Sequence, residues 1–346
     1  MNRREVLKTA GTLGAGVAAS AIVAPSDPDD TARLLAALAN PERNLSEQVI
    51  NVLERNDRNL QRHDRSLRAS SRIKLAREHL HTVRRLRPSA TRPDWQVRLA
   101  VVEAQAARLA GRLAANWLQD RKAAVAGYRI ALAAAHDAGP HAMTLRAYTL
   151  GGMAFLDTRL GERRAAVHTI AEALEAGESS GVQGLRCWLA STAATVHAGV
   201  GDRRACDRAL KRADDLFTLP SAGDPVWMDF LSRGFLLEDR AACQLRIGQP
   251  RQALTTLTEA ERLVAPHRLG RRALVLAYRA EALVQDGQLG DGSGVAIEAL
   301  DLAMRIGYRR VVEQVRTLRP DGLNRAPTLP AVKELDERLR RNPMEM

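Results

Sequence analysis

Aromatic side chains are scarce in this 346-residue sequence: they make up 3% of the chain, although 45% of its residues are hydrophobic. Strands favour aromatic and β-branched residues, so a chain dominated by Ala, Leu and Arg is unlike a β-sandwich or a large α/β enzyme. The hydrophobic content also excludes a largely disordered chain. The length allows two or three average domains or one extended array.

Long apolar runs and clustered cysteines are also missing. No uninterrupted run reaches the roughly 20 apolar residues that a membrane-spanning helix needs. Cys187, Cys206 and Cys243 are far apart and show no C-x-x-C pair or His partner at zinc spacing. Each lies in an Ala- and Leu-rich stretch, where cysteine acts as a small apolar residue. The sequence therefore predicts no transmembrane span, disulfide framework or metal site.

Lysine is rare among the basic residues: only five of the 52 Lys and Arg residues are Lys, while the formal net charge is +12. A bias toward Arg is typical of GC-rich genomes, so the net charge alone is a weak argument for nucleic-acid binding. The charge is nevertheless unevenly distributed. Residues 51–92 hold eleven Arg and one Lys against four carboxylates, which gives a local net charge of +8, two thirds of the total.

These arginines follow a helical period. Steps of three, four and three residues separate Arg55, Arg58, Arg62 and Arg65, which places them on one face of a helix. Such a row is typical of a solvated outer face, and it could also bind phosphates or an acidic protein surface. The stretch has no aromatic residues to stack on bases, which argues against single-strand binding. Binding to random duplex DNA at two salt concentrations would distinguish these interpretations.

The first 25 residues are open to two interpretations. Arg3 and Arg4 precede a mild apolar run from Gly14 to Ala24, an order that resembles a twin-arginine export signal. The alternative is an amphipathic N-terminal segment that is retained. Cell fractionation with N-terminal sequencing would distinguish the two, because loss of this segment would support export.

Residues 93–320 repeat one helical-hairpin pattern. A turn centred on Gly or Asp is followed by basic or polar residues, and then by an Ala that opens a helix. The turn glycines are Gly161, Gly201, Gly248 and Gly287, which are 40, 47 and 39 residues apart. Glycine ends a helix well because it adopts the left-handed cap conformation at little steric cost. A single hairpin cannot bury its apolar face alone, so neighbouring hairpins are expected to stack.

Each hairpin begins with a first helix, and loops that contain proline divide the hairpins. The first helices are predicted over Trp95–Trp117, Met143–Leu156, Leu185–Val196, Val226–Leu245 and Leu274–Leu283. The predicted organisation is a flexible N-terminal segment (1–30), an Arg-rich helical region (31–92), the repeat array (93–320), and a linker with a C-terminal capping helix (321–346).

The G-x-x-x-x-A turn with its Ala-Leu helix resembles the second helix of a tetratricopeptide repeat. The spacing exceeds the 34 residues of the standard repeat, so the chain is similar to divergent, long members of that family. More narrowly, it resembles the repeat region of actinobacterial tetratricopeptide regulators that carry an N-terminal helix-turn-helix module. The Asn2–Leu7 opening, the Arg-rich helix, the segment Ala110–Ala114 and the final Leu-rich helix support this likeness.

The resemblance implies an all-α, right-handed α-solenoid with a cytoplasmic role in transcriptional or developmental regulation. In such regulators an Arg-Arg motif lies between the DNA-binding module and the repeats, which favours a retained N-terminus over export. The chain departs from the family because residues 45–87 show long helices without a compact helix-turn-helix pattern. Direct operator binding is therefore an alternative only.

In tetratricopeptide-like arrays the first helices line a concave groove that holds an extended peptide or a helix. The polar residues of the predicted first helices are Arg108, Arg112, Asn116, Arg146, Arg186, Arg240 and Arg279. If the repeats stack regularly, these side chains make the groove basic, and it then favours an acidic peptide or a carboxyl terminus. Otherwise they are ordinary surface residues.

No catalytic constellation emerges from the sequence. The G-x-S-x-G match at Gly177–Gly181 follows a helix, whereas a nucleophile elbow needs a strand before its serine. The stretch Gly287–Gly294 lacks the G-K-[ST] ending of a P-loop and is predicted to be a turn or flexible chain. We therefore expect a non-enzymatic protein without cofactor that binds a protein or peptide partner. A twin-arginine-exported scaffold and a DNA-binding regulator are the alternatives, and a homodimer is left open.

Overall fold

The structure is a computed structural model that describes residues 28–62, 69–218 and 224–341. No strand occurs in these ranges, so the all-α class is confirmed for them. Their α-helices are α1 (Pro28–Ala39), α2 (Pro41–Asn44), α3 (Glu47–Arg62), α4 (Ala69–Leu86), α5 (Pro93–Leu113), α6 (Arg121–His136), α7 (Ala142–Arg159), α8 (Arg163–Ser180), α9 (Gln183–Val200), α10 (Arg203–Leu216), α11 (Arg233–Arg246), α12 (Pro250–Leu263), α13 (Leu269–Gln285), α14 (Leu289–Ile306), α15 (Arg309–Asp321) and α16 (Pro330–Arg341). A π-helical turn, Ala114–Leu118, follows α5.

Glycines end the helices at the predicted turns. Gly161, Gly201, Gly248 and Gly287 have φ angles of 75°, 82°, 75° and 87°. Only glycine adopts this left-handed conformation without steric cost. The next helix then starts with its own cap, as at α10, where the side chain of Asp202 accepts a hydrogen bond from the N–H of Ala205. The predicted glycine turns are confirmed.

Neighbouring helices pack in pairs through small side chains. The closest pairs are α5 with α6, α9 with α10, α11 with α12, and α13 with α14. Alanines fill much of the core, and Ala241, Ala253, Ala273 and Ala296 are fully buried. Alternate helices α9, α11, α13 and α15 also pack side by side. The first helices of these hairpins therefore form one continuous layer.

The described residues divide into two compact units. The first unit takes in the residues up to Ala114 together with Arg121–Thr149, and its core includes Leu34, Leu53, Val83, Leu86 and Leu99. The second unit takes in Ala115–Asp120 and the residues from Leu150 onward, and its core includes Leu257, Leu274, Leu300, Val311 and Leu335. The division falls within α7. Among the described helices, none is long and apolar enough to cross a membrane.

Two predicted segments differ from the structure. The predicted helix Val226–Leu245 is a short 3-10 turn followed by α11, because Ser232 caps a new helix by accepting a hydrogen bond from the N–H of Phe235 (3.2 Å). The predicted turn Gly287–Gly294 is a turn only at its first residue, and α14 begins at Leu289. In addition, α15 has no counterpart among the predicted first helices.

The backbones of α5 and α6 approach each other closely at two glycines, Gly111 and Gly127. A Cβ atom placed on Gly127 would lie 2.8 Å from the Cα of Gly111 and 2.9 Å from the carbonyl oxygen of Ala107. Both neighbours are backbone atoms, so they cannot move without separating the helices. A methyl group at Gly127 is therefore incompatible with this packing.

We expect Gly127→Ala to lower the free energy of unfolding by about 1–3 kcal/mol, because the added methyl group overpacks the α5–α6 interface. Urea unfolding followed by circular dichroism measures the change. The matched control is Gly294→Ala in α14, where no atom lies within 4 Å of an added Cβ. There the same substitution should raise stability by about 0.5–1 kcal/mol. Equal effects at the two positions would contradict the close approach.

Candidate functional site

Charged side chains gather on the first helices of the second unit. We call Glu238, Asp239, Arg271 and Arg310 the carboxylate–arginine cluster; they come from α11, α13 and α15. Glu238 is 2% exposed and accepts a hydrogen bond from Nη1 of Arg271 at 2.7 Å. Asp239 accepts one from the hydroxyl of Ser191 on α9 at 2.8 Å. Four first helices thus contribute to one set of contacts.

The electrostatics of the cluster are those of partly desolvated ion pairs. Burial raises the pKa of Glu238 to about 7, and the nearby Arg271 opposes that shift. Burial likewise raises the pKa of Asp239, against the hydrogen bond from Ser191. The Oε2 atom of Glu238 is buried and has no hydrogen-bond partner among the described residues. The cluster therefore contains carboxylates that are expensive to keep charged without a further partner.

Arg310 connects this cluster with neighbouring aromatic rings. Its Nη2 donates to the hydroxyl of Tyr278 at 2.9 Å, and its guanidinium lies 5.1 Å from the centre of the Phe155 ring. Burial lowers the pKa of Arg310, but the charges of its neighbours, Tyr278 first among them, raise it overall. Arg310 therefore stays charged within the first-helix layer.

Aromatic rings surround the charged groups. Arg271 lies 4.4 Å from the centre of the Phe235 ring. Phe235 packs edge to face with Phe230 at 5.1 Å, and Phe230 packs in the same way with Trp188 at 6.4 Å. Guanidinium groups on ring faces and edge-to-face ring pairs are both favourable geometries. Nine of the twelve aromatic residues of the sequence lie in the second unit.

A strained segment adds one more ring to the second unit. The π-helical turn Ala114–Leu118 carries Trp117, which stacks on Tyr308 with a centroid distance of 4.4 Å. Gln119 follows with a φ of 57°, a value that residues other than glycine rarely adopt. Arg159 donates to Oε1 of Gln119 at 2.9 Å and holds this geometry. Such irregular helices are frequent at functional sites.

Three of the predicted groove arginines form ion pairs with the preceding hairpin. Arg186 binds Glu178 at 2.6 Å, and Arg279 binds Glu261 at 2.9 Å. Arg240 pairs in the same way with Asp214 on α10. Each of these arginines thus neutralises a carboxylate on the helix before it. The three ion pairs therefore reduce the net positive charge of the predicted groove.

The other predicted groove residues lie in different surroundings. Arg108 is buried, donates to Gln61 at 3.3 Å, and stacks 3.7 Å from the centre of the Tyr148 ring. Asn116 accepts a hydrogen bond from Arg159 at 3.0 Å. Arg112 is half-buried and Arg146 is exposed.

The predicted basic face is described in part. Arg55 and Arg58 are exposed on α3, and Arg55 pairs with Asp30 of α1. The side chain of Arg62 and the whole of Arg65 lie outside the described residues. Arg3 and Arg4, the predicted export motif, also lie outside them.

No protein-family model matches the sequence, and no curated protein matches it significantly. Among the described residues, no group of three or more His, Cys, Asp or Glu side chains is arranged to hold a metal ion. Support for a function therefore comes from the contacts of its own side chains.

A buried acid–base pair in the first unit is absent from the sequence-based predictions. Asp57 on α3 and His79 on α4 are 1% and 3% exposed, and Oδ1 of Asp57 lies 3.7 Å from Nε2 of His79. Burial raises the pKa of Asp57 to about 7 and lowers the pKa of His79 to about 4. Neither carboxylate oxygen of Asp57 has a hydrogen-bond partner among the described residues. The pair is therefore costly to ionise.

We expect Asp57→Asn to stabilise the protein more at pH 8 than at pH 5. The folded-state pKa of about 7 exceeds the unfolded value of 3.8, so wild-type stability falls as the pH rises between these values. Asn removes this cost and should raise the free energy of unfolding at pH 8 by about 1–4 kcal/mol. Urea unfolding at both pH values measures the difference.

The exposed Glu42 provides the control for this measurement. Glu42→Gln should change stability by the same small amount at pH 5 and pH 8, because its carboxylate is solvated in both states. A gain from Asp57→Asn that is identical at the two pH values would show that ionisation of Asp57 is not the cause.

Proposed function

We propose that this chain is a non-enzymatic regulatory protein of the tetratricopeptide-like repeat type, which binds a protein or peptide partner on the first helices of its second unit. The carboxylate–arginine cluster is the observation that carries this proposal. Charged groups and aromatic rings converge there, on helices whose core contacts are mainly aliphatic. Aromatic and Arg side chains dominate the energetics of protein interfaces.

The cluster suggests how a partner would be held. Arg310 and Arg271 are fixed by Tyr278 and Glu238, so little side-chain freedom is lost when a partner binds. A carboxylate of the partner can accept hydrogen bonds from Arg310, and its apolar side chains can pack on the half-buried Phe155. An acidic peptide with apolar side chains is therefore the favoured class of ligand.

The repeat architecture is proposed on related grounds. The positive-φ glycines at 40-, 47- and 39-residue spacing and the packing of helices in adjacent pairs support a right-handed α-solenoid of tetratricopeptide-like hairpins. Control of transcription or development and a cytoplasmic location follow from the resemblance of the sequence to actinobacterial regulators. Ligand binding would act by changing the curvature of the array and with it the choice of partner.

Selection of peptides from a random display library on the immobilised full-length chain tests the proposal. We expect acidic peptides to be enriched, and we expect Arg310→Ala to weaken their binding at least about tenfold, because it removes a charge-assisted hydrogen bond. Fluorescence anisotropy of a labelled peptide measures the dissociation constant. Failure to enrich any peptide, or equal binding by wild type and Arg310→Ala, would overturn the assignment of this site.

The exposed Arg272 supplies a matched control beside Arg271 on the same helix. Arg272→Ala should leave peptide affinity within about twofold of wild type, since a solvated rim charge contributes little. Circular dichroism melts of each variant establish that it is folded. If Arg272→Ala weakened binding as much as Arg310→Ala, the attraction would come from overall charge and not from the cluster.

A further inference from the structure

A polar pocket opens beside the turn at Gly161. Its volume is about 300 Å³, which is at the lower end of the range for small-molecule sites. Its wall is built by the last residues of α7, α9 and α11 and by the first turn of α8, all in the second unit. The described wall includes none of the four residues of the carboxylate–arginine cluster. The pocket is therefore a second concave feature of this unit.

Small side chains leave the space of the pocket open. Ala166 of α8 and Ala198 of α9 line it and are buried, so they belong to its inner wall. A Cβ atom on Gly199 would lie 2.7 Å from Cγ2 of Thr158, so α7 and α9 approach closely there. The hydroxyl of Thr158 donates to the carbonyl oxygen of Ala154 within α7. The inner wall thus gives the pocket its shape and offers few free polar groups.

Three arginines supply the polar character of the pocket. Arg159 comes from the last turn of α7, Arg163 from the first turn of α8, and Arg246 is the last residue of α11. Among the described residues that line the pocket, none is acidic. Glu162 precedes Arg163 in the sequence but is not part of the wall. Positive charges from three helices therefore converge without a carboxylate between them.

The helix dipole accounts for only part of this charge. Arg159 and Arg246 lie in the last turns of their helices, where a cation stabilises the negative end. Three helices end at the pocket and one begins there, which adds roughly one negative charge at about half a charge per helix end. The three arginines exceed this by about two positive charges. The pocket is therefore set up for an anion.

The three arginines differ in how they are held. Arg159 donates to Oδ1 of Asn116 at 3.0 Å and to Oε1 of Gln119 at 2.9 Å, and both acceptors are uncharged. These two bonds fix its guanidinium without neutralising it. Arg163 and Arg246 are exposed, and neither makes an ion pair or a side-chain hydrogen bond with another described residue. Their donors are therefore open to a ligand.

We infer that this pocket binds a phosphate-bearing small molecule, whose phosphate oxygens accept hydrogen bonds from Arg163 and Arg246 while Arg159 supplies a third positive charge. A phosphate group carries up to two negative charges and several strong acceptors, which converging guanidinium forks match better than they match a single carboxylate. Because the pocket has the size of a small-molecule site, a pyrophosphate or a small phosphate ester fills it better than inorganic phosphate. The inference does not rest on the function proposed above.

Titration calorimetry of the full-length chain with pyrophosphate, at constant ionic strength, tests the inference. We expect saturable binding at one site, with weaker binding of inorganic phosphate. Arg163→Ala and Arg246→Ala should each weaken the binding of pyrophosphate at least about tenfold, because each removes charge-assisted hydrogen bonds. Both side chains are exposed, so the variants should fold, and circular dichroism melts establish that they do.

Two control variants separate this site from general charge and from the peptide site. Arg164→Ala removes the next arginine of α8, which is exposed and is not part of the wall. It should leave the dissociation constant within about twofold of wild type. Arg310→Ala should also leave it unchanged. Equal losses in Arg164→Ala and Arg163→Ala, or a loss in Arg310→Ala, would overturn the inference.

Chemical modification locates the site independently. Phenylglyoxal reacts with exposed guanidinium groups, and peptide mass spectrometry identifies the arginines that it modifies. Pyrophosphate should slow the modification of Arg163 and Arg246 and leave that of Arg164 unchanged. Ribose 5-phosphate in the same assay tests a phosphate ester, and protection by either compound supports the inference. Protection of all three arginines alike, or no protection by either compound at about 10 mM, would show that the pocket is not a phosphate site.

Discussion

The close approach of helix backbones is the constraint on which the other features of this protein depend. Gly111 and Gly127 bring α5 against α6, and buried alanines have the same role between later helices. Tyr128 of α6 is nevertheless buried at this contact, against Gly111. Other rings lie on the first helices and next to them, where they pack on one another and on guanidinium groups. Close packing through glycine and alanine is consistent with the low aromatic content of the chain.

The excess of arginine over lysine has a structural use in the same layer. Arg271 stacks on Phe235 while it donates to Glu238, and Arg310 stacks near Phe155 while it donates to a tyrosine hydroxyl. A planar guanidinium combines a flat face with in-plane donors, whereas an ammonium group offers no face for stacking. A genomic bias toward arginine therefore supplies the residue that a half-buried, mixed layer of rings and carboxylates needs.

The sequence predicts the parts of the fold that local pattern controls. Glycine turns can be predicted from the sequence because a left-handed helix cap favours glycine, and the glycines of all four predicted turns have positive φ. The sequence does not predict that α14 begins at Leu289, because the contact that favours this helix comes from another part of the chain. A Cβ on Gly292 would lie 2.7 Å from the side chain of Val284 on α13, so the two helices are closely packed there. The carboxylate–arginine cluster is not predictable from the sequence either, since Glu238 and Arg271 are 33 residues apart and no local spacing connects them.

Most ion pairs between consecutive hairpins have the same direction, and the pair of Arg251 with Asp286 has the opposite one. At three successive junctions the arginine comes from the later hairpin and the carboxylate from the earlier one, as in Arg186 with Glu178 and Arg240 with Asp214. Each hairpin between these junctions thus presents an arginine at one edge and an acid at the other. The two ends of such a hairpin therefore carry opposite charges. Gain or loss of a whole hairpin would leave matched charges at the new junction, so the length of the array can change in evolution without a loss of pairing.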